Sequence, residues 1–146
     1  MASTYTVDAS VFLNAFNPYE DGHEESHRLM ARLQEEATPI IVPTLLLPEV
    51  AAAVGRGRQD DELAREFAAT LSRLPHLLLV PLDKTLAQQA ADIAALYGLR
   101  GSDAVYAAVA LRFGSTLVTL DREQRERVAD ALTTCYPAEM LVEGED

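Results

Sequence analysis

Cysteine is almost absent from this 146-residue chain: Cys135 stands alone, which excludes an internal disulfide and a thiolate zinc site. Tryptophan is missing altogether, and Lys84 is the sole lysine among 12 basic residues set against 23 acidic ones. The resulting net charge of −11 is the wrong sign for a general nucleic-acid binder, because phosphate contacts need Lys and Arg. It suits a basic protein partner drawn in by long-range attraction. No apolar run approaches the roughly 20 residues of a membrane helix. The start Met1-Ala2-Ser3-Thr4-Tyr5 carries neither the basic region nor the apolar core of a secretory signal, so the cytoplasm is the expected compartment. Neither a Gly-x-x-x-x-Gly-Lys-Ser/Thr loop nor a Gly-x-Gly-x-x-Gly turn occurs, which removes the common nucleotide-binding α/β readings.

What is present is apolar and periodic. Hydrophobic residues make up 49% of the chain, enough for one packed domain of ordinary size. Short apolar runs at Thr4–Val7, Pro39–Val42, Leu77–Val80, Thr116–Thr119 and Thr133–Tyr136 read as strands. Helical patterns lie between them. Ser10, Thr44, Asp83 and Ser102 are placed to cap helices, Gly98 and Gly114 to end them, and Gly55-Arg56-Gly57-Arg58 to break one. Leu63, Phe67, Leu71 and Leu74 form one stripe at helical spacing. This alternation predicts a single α/β domain over residues 1–146, with a mainly parallel five-stranded sheet flanked by helices on both faces. Its core is expected over 4–136, with 137–146 left as a fraying acidic tail. Cys135, inside a strand-like run, is expected as a buried small hydrophobe.

Four acids stand where the apolar pattern does not ask for them. Asp8 ends Tyr5-Thr6-Val7, and Glu49 interrupts Leu45-Leu46-Leu47-Pro48-Glu49-Val50. Asp103 opens an apolar helix, and Asp121 closes Thr116-Leu117-Val118-Thr119-Leu120. Singly, each has a structural explanation as a cap, a first-turn carboxylate or a turn residue. Together they fall at strand ends and helix starts, the positions that converge at the carboxyl edge of a parallel sheet. Crowded carboxylates repel unless a cation joins them, and an oxygen-only set is what Mg²⁺ or Mn²⁺ prefers. A metal site is the economical reading.

Val7-Asp8-Ala9-Ser10, Pro48-Glu49-Val50, Leu99-Arg100-Gly101-Ser102-Asp103-Ala104-Val105-Tyr106 and Leu117-Val118-Thr119-Leu120-Asp121 resemble, in order and spacing, the acidic motifs of PIN domains. The likeness is to the short VapC-type ribonuclease toxins of prokaryotic toxin–antitoxin pairs, and it spans Thr4 to about Tyr136. The resemblance implies a PIN-like fold and a Mg²⁺- or Mn²⁺-dependent endoribonuclease. Asp8, Glu49, Asp103 and Asp121 would be its catalytic and metal-binding quartet, with Ser10 and Thr119 as supporting hydroxyls. It also implies RNA as substrate, a basic antitoxin as partner, and a homodimer. Leu29, Met30, Leu33, Leu63 and Phe67, more apolar surface than one small sheet covers, agree with the last.

Arg100, just before Asp103, is the first candidate to hold substrate phosphate, and Arg56 and Arg58 form a second basic rim. His23-Glu24-Glu25-Ser26-His27 matches the H-E-x-x-H zinc pattern, but its flanks are polar and His76, the one other histidine, lies far away. A polar helix start is the better reading. A receiver-like module would want an acidic pair after the first strand, and an Asp-x-Asp phosphatase fails where Ser10 replaces the second Asp. The remaining alternative is a PIN-like binding or regulatory module with little catalysis.

Overall fold

Asp8, Asp60, Asp83 and Asp121 set the punctuation of the chain. Each stands in extended backbone and accepts a hydrogen bond from an amide two or three residues on, starting a helix there. A computed structural model describes residues 3–144. In it, strands β1 (Tyr5–Val7), β2 (Ile40–Pro43), β3 (Leu77–Val80), β4 (Thr116–Val118) and β5 (Thr134–Cys135) alternate with helices. These are α1 (Ala9–Phe16), α2 (His23–Glu35), α3 (Leu46–Arg58), α4 (Asp61–Ser72), α5 (Lys84–Tyr97), α6 (Gly101–Phe113), α7 (Arg122–Val128) and α8 (Pro137–Gly144). Among the described residues, no helix is long and apolar enough to cross a membrane.

All strand pairs are parallel, in the order β3-β2-β1-β4-β5. Helices cover both faces, as the pleat of β2 shows: Ile40 and Val42 join one buried cluster, and Ile41 joins the other. The larger cluster gathers α1, α2 and α3, with Leu29, Leu46, Val50 and Leu117 at its heart. The smaller one seats α5 and α6, with Leu86, Val105 and Val109. Residues Ala104–Ala110 of α6 are buried without a break, so this stretch of the helix is apolar all round and lies inside the molecule. The chain walks from β1 out to β3 and then returns to the far side of β1 as β4. That reversal opens a crevice beyond the carboxyl ends of β1 and β4.

The structure departs from the sequence reading in several places. Asp8, not Ser10, caps α1, and the Ser10 amide is its donor at 2.7 Å. The segment Gly55-Arg56-Gly57-Arg58 stays helical, and the chain turns only at Gln59, where φ is 53°. Two glycines inside a helix cost roughly 1 kcal/mol each, which packing of α3 on α4 offsets. Neither Thr44 nor Ser102 caps a helix: Leu45 holds the cap position of α3 without a side-chain bond, and α6 already starts at Gly101 with Arg100 in the cap position. The expected acidic tail forms α8, whose Met140 and Leu141 are buried and which packs on α2. Residues 145–146 of that expected tail, and 1–2 of the expected domain, lie outside the described residues. Leu29 and Leu33, taken from the sequence as spare apolar surface, belong to the core instead. Cys135 is half-buried on β5.

Candidate active site

The crevice between β1 and β4 is built on one buried carboxylate. Asp8 leaves β1 with its amide bonded to the Val118 carbonyl at 3.1 Å, so its backbone is still part of the sheet. Its side chain is 5% exposed. Oδ1 accepts from both the amide and the hydroxyl of Ser10, and Oδ2 accepts from the Thr119 hydroxyl at 2.5 Å. Ser10 Oγ in turn accepts from the Leu120 amide at 3.3 Å, and Thr119 Oγ1 from the Asp121 amide at 3.0 Å. The two supporting hydroxyls therefore lock the ends of β1 and β4 together around Asp8. Burial raises the Asp8 carboxyl above its ordinary range, the Ser10 and Thr119 hydrogen bonds pull it back, and the Asp103 charge raises it again.

The other three acids arrive from different elements. Glu49, in the first turn of α3, accepts a hydrogen bond from the Tyr106 hydroxyl at 2.7 Å. Burial raises its carboxyl, Tyr106 lowers it, and the charges of Asp8 and Asp103 raise it further. Asp103 stands in the first turn of α6, and Asp121 caps α7 through the Gln124 amide at 3.2 Å. Asp8, Glu49, Asp103 and Asp121 line one cleft of about 260 Å³, together with Ala9, Ser10, Ser102 and Arg100. The structure thus brings all four sequence-predicted acids to one place.

Arg100 sits in that cleft as a neighbour of the acids. Its Nε donates to Asp103 Oδ2 at 3.0 Å and its Nη2 to Asp121 Oδ2 at 3.1 Å, while the side chain stays 76% exposed. Arg56 lines an adjoining hollow with Ala9 and Glu49, and Arg58 lies farther along the groove between α1 and α3, over the Phe16 ring. His23 and His27 lie one turn apart on α2, and His23 Nδ1 hydrogen-bonds the Asn14 carbonyl at 2.8 Å.

Two site residues were not singled out from the sequence. Tyr106 looked like one more apolar member of α6. Gln124 lies on the short polar helix α7, yet it is 1% exposed, with its amide oxygen 3.0 Å from Thr119 Oγ1 and its nitrogen donating to the Asp103 carbonyl at 3.3 Å. A glutamine at helical spacing from an acidic cap carries no signal of its own. For Tyr106 there was one: it follows Asp103 by three residues, which puts both on the same side of a helix.

The donor set is carboxylate and hydroxyl oxygen only, the type that suits a hard divalent cation. As the side chains stand, no three His, Cys, Asp or Glu residues among those described form a group that holds a metal ion. Arg100 instead takes an oxygen from each of Asp103 and Asp121.

The sequence matches the PIN domain family over residues 5–130. No curated protein matches the chain. Among solved structures, it is similar to the sarcin–ricin loop-cleaving toxin VapC20 of Mycobacterium tuberculosis, with TM-score 0.72 at 18% identity over 90% of this chain and 97% of that one. It is also similar to PAE2754 of Pyrobaculum aerophilum, with TM-score 0.69 at 23% identity over 98% and 97% of the two chains. VapBC2 of Rickettsia felis, solved bound to a DNA fragment from its promoter, gives TM-score 0.68 at 16% identity over 91% and 98%. At these identities the structural likeness speaks for the fold, and the family match over most of the sequence settles membership. With its parallel sheet and four acids at the β1–β4 crevice, this chain belongs to the PIN domain family.

Proposed function

We propose that the chain is a Mg²⁺- or Mn²⁺-dependent endoribonuclease that hydrolyses RNA phosphodiester bonds, acting as the toxin of a toxin–antitoxin pair in the cytoplasm. One observation carries the proposal: acids from β1, α3, α6 and the β4–α7 turn, far apart in sequence, line one cleft at the carboxyl edge of the sheet. Asp8 and Asp103 would hold the ion directly, with Glu49 and Asp121 completing the shell or orienting the attacking water. A divalent cation held there would supply hydroxide at neutral pH and would neutralise charge on the scissile phosphate. Asp8 is fixed for this by Ser10 and Thr119, which keep both its oxygens in hydrogen bonds to neutral donors. Arg100 is long and exposed enough to turn from Asp103 and Asp121 to a phosphate oxygen, and Arg56, in the hollow beside Glu49, would meet a second phosphate.

The partner would be a basic antitoxin segment laid over this acidic cleft, attracted by the −11 charge and weakened by salt. A homodimer completes the reading, and exposed apolar side chains are available for it. Leu78, Leu96, Leu111 and Phe113, on β3, α5 and α6, are exposed, Leu96 at 75%.

One observation favours the alternative of a PIN-like binding or regulatory module with little catalysis: Arg100 already neutralises two of the four acids. The readings part in a cleavage assay on structured RNA. A nuclease cuts with Mn²⁺ and stops when the ion is chelated. A binding module retains RNA or partner protein under both conditions and cuts in neither.

A further inference from the structure

Each acid of the cleft is tethered, and the tethers differ in kind. Asp8 is held by three donors from Ser10 and Thr119, while Asp103 and Asp121 share the guanidinium of Arg100. Among the described residues, the Glu49 side chain has one hydrogen-bond partner, the Tyr106 hydroxyl, which meets Oε1 at 2.7 Å. Glutamate has three rotatable side-chain bonds, so an untethered Glu49 would sample many rotamers before presenting an oxygen to the cleft.

Tyr106 is 2% exposed and lies in the unbroken apolar stretch Ala104–Ala110 of α6. An aliphatic residue would fill that volume with no polar group to satisfy, whereas a buried phenol needs a partner. Its partner is on α3, so this one hydrogen bond ties two helices across the cleft at the level of the acids. Unlike Arg100, Tyr106 carries no charge, and it can stay on Glu49 when a cation enters. Burial, and then Glu49 itself, push the phenol's ionisation well above its ordinary range, so it remains a donor at any working pH.

We infer that Tyr106 is a positioning residue for Glu49, holding one carboxylate oxygen so that the other is presented to a divalent cation in the cleft. This rests on the metallonuclease reading above. Residues of this kind, which orient a ligand without touching the ion, typically change metal affinity 10–100-fold when lost.

The test is a Mn²⁺ titration of the melting temperature for the parent, Tyr106→Phe, Glu49→Gln and the double variant, with RNA cleavage measured alongside. Tyr106→Phe keeps the ring and removes one oxygen. It should raise the Mn²⁺ concentration at half-maximal stabilisation about tenfold or more. The cleavage rate at limiting Mn²⁺ should fall and recover at high Mn²⁺. In the Glu49→Gln background the Tyr106→Phe change should shift the midpoint no further. A merely structural hydroxyl would lower the melting temperature equally at every Mn²⁺ concentration and leave the midpoint where it was. Equal midpoints for parent and Tyr106→Phe overturn the inference while leaving the nuclease reading intact. A parent that shows no Mn²⁺ response ends both. If Tyr106→Phe is too unstable to purify, Glu49→Asp serves: it withdraws the carboxylate from the phenol without disturbing α6, and an unchanged midpoint there also overturns the inference.

Discussion

Arg100 Nη2 lies 3.1 Å from Asp121 Oδ2, joining the start of α6 to the residue that caps α7. With its second bond to Asp103, the guanidinium stands where the acids would otherwise repel. The Asp103 hydrogen bond and charge, then Asp121, hold it protonated. It therefore competes with any cation for the same oxygens.

Removing that competitor has a definite consequence. Arg100→Gln should bind Mn²⁺ at a lower concentration than the parent, read as the midpoint of the metal-induced melting shift. The same variant should need more RNA for half-maximal rate, because it loses a phosphate fork. If Arg100 served only as surface decoration, neither midpoint would move, since an exposed ion pair contributes about 0–1 kcal/mol.

The pH dependence follows from Asp8 and Glu49. Burial raises both carboxyls, so the folded chain binds protons there more tightly than the unfolded chain, whose carboxyls keep ordinary values. The contribution of these two groups to metal-free stability is thus greatest below the ordinary carboxylate range and falls as pH rises through the raised values. Melting temperatures measured in chelator should increase on acidification from neutral pH toward the ordinary carboxylate range. Asp8→Asn, which cannot take up that proton, should show a smaller increase. Parallel curves for the two proteins would contradict the assignment.

Leu141 is buried in the core cluster on a helix that the sequence offered as a tail. Leu141→Ala should destabilise the fold by about 2–5 kcal/mol, the usual range for a buried leucine, as chemical denaturation will report. A fraying tail would tolerate the change with less than about 0.5 kcal/mol.

How much of this was legible in the sequence depended on whether the signal was local. The strands announce themselves as apolar runs, and Asp83, Gly98 and Gly114 mark helix ends through their own backbone preferences. Asp8, Glu49, Asp103 and Asp121 were visible because each breaks an apolar pattern. Tyr106 and Gln124 were not, since a tyrosine in an apolar helix and a glutamine on a short polar one look ordinary until their partners are known. The continuation of α3 through two glycines and the existence of α8 depend on α4 and α2 respectively, contacts that no local pattern encodes. Arg100 was placed beside substrate phosphate, and the fold sets it first beside Asp103 and Asp121.

The most direct test of the account is Asp103→Asn, assayed for Mn²⁺-dependent melting and for RNA cleavage beside an exposed-acid control, Glu35→Gln. In the parent and the control, Mn²⁺ at one hundred times its dissociation constant should stabilise the fold by about 2.7 kcal/mol. That corresponds to a melting shift on the order of 5–10 °C, reached with Mn²⁺ at lower concentration than with Mg²⁺. Asp103→Asn should fold, show no metal shift and cut no RNA. Cleavage by Asp103→Asn at the parent rate in Mn²⁺ would contradict the metallonuclease account at its centre.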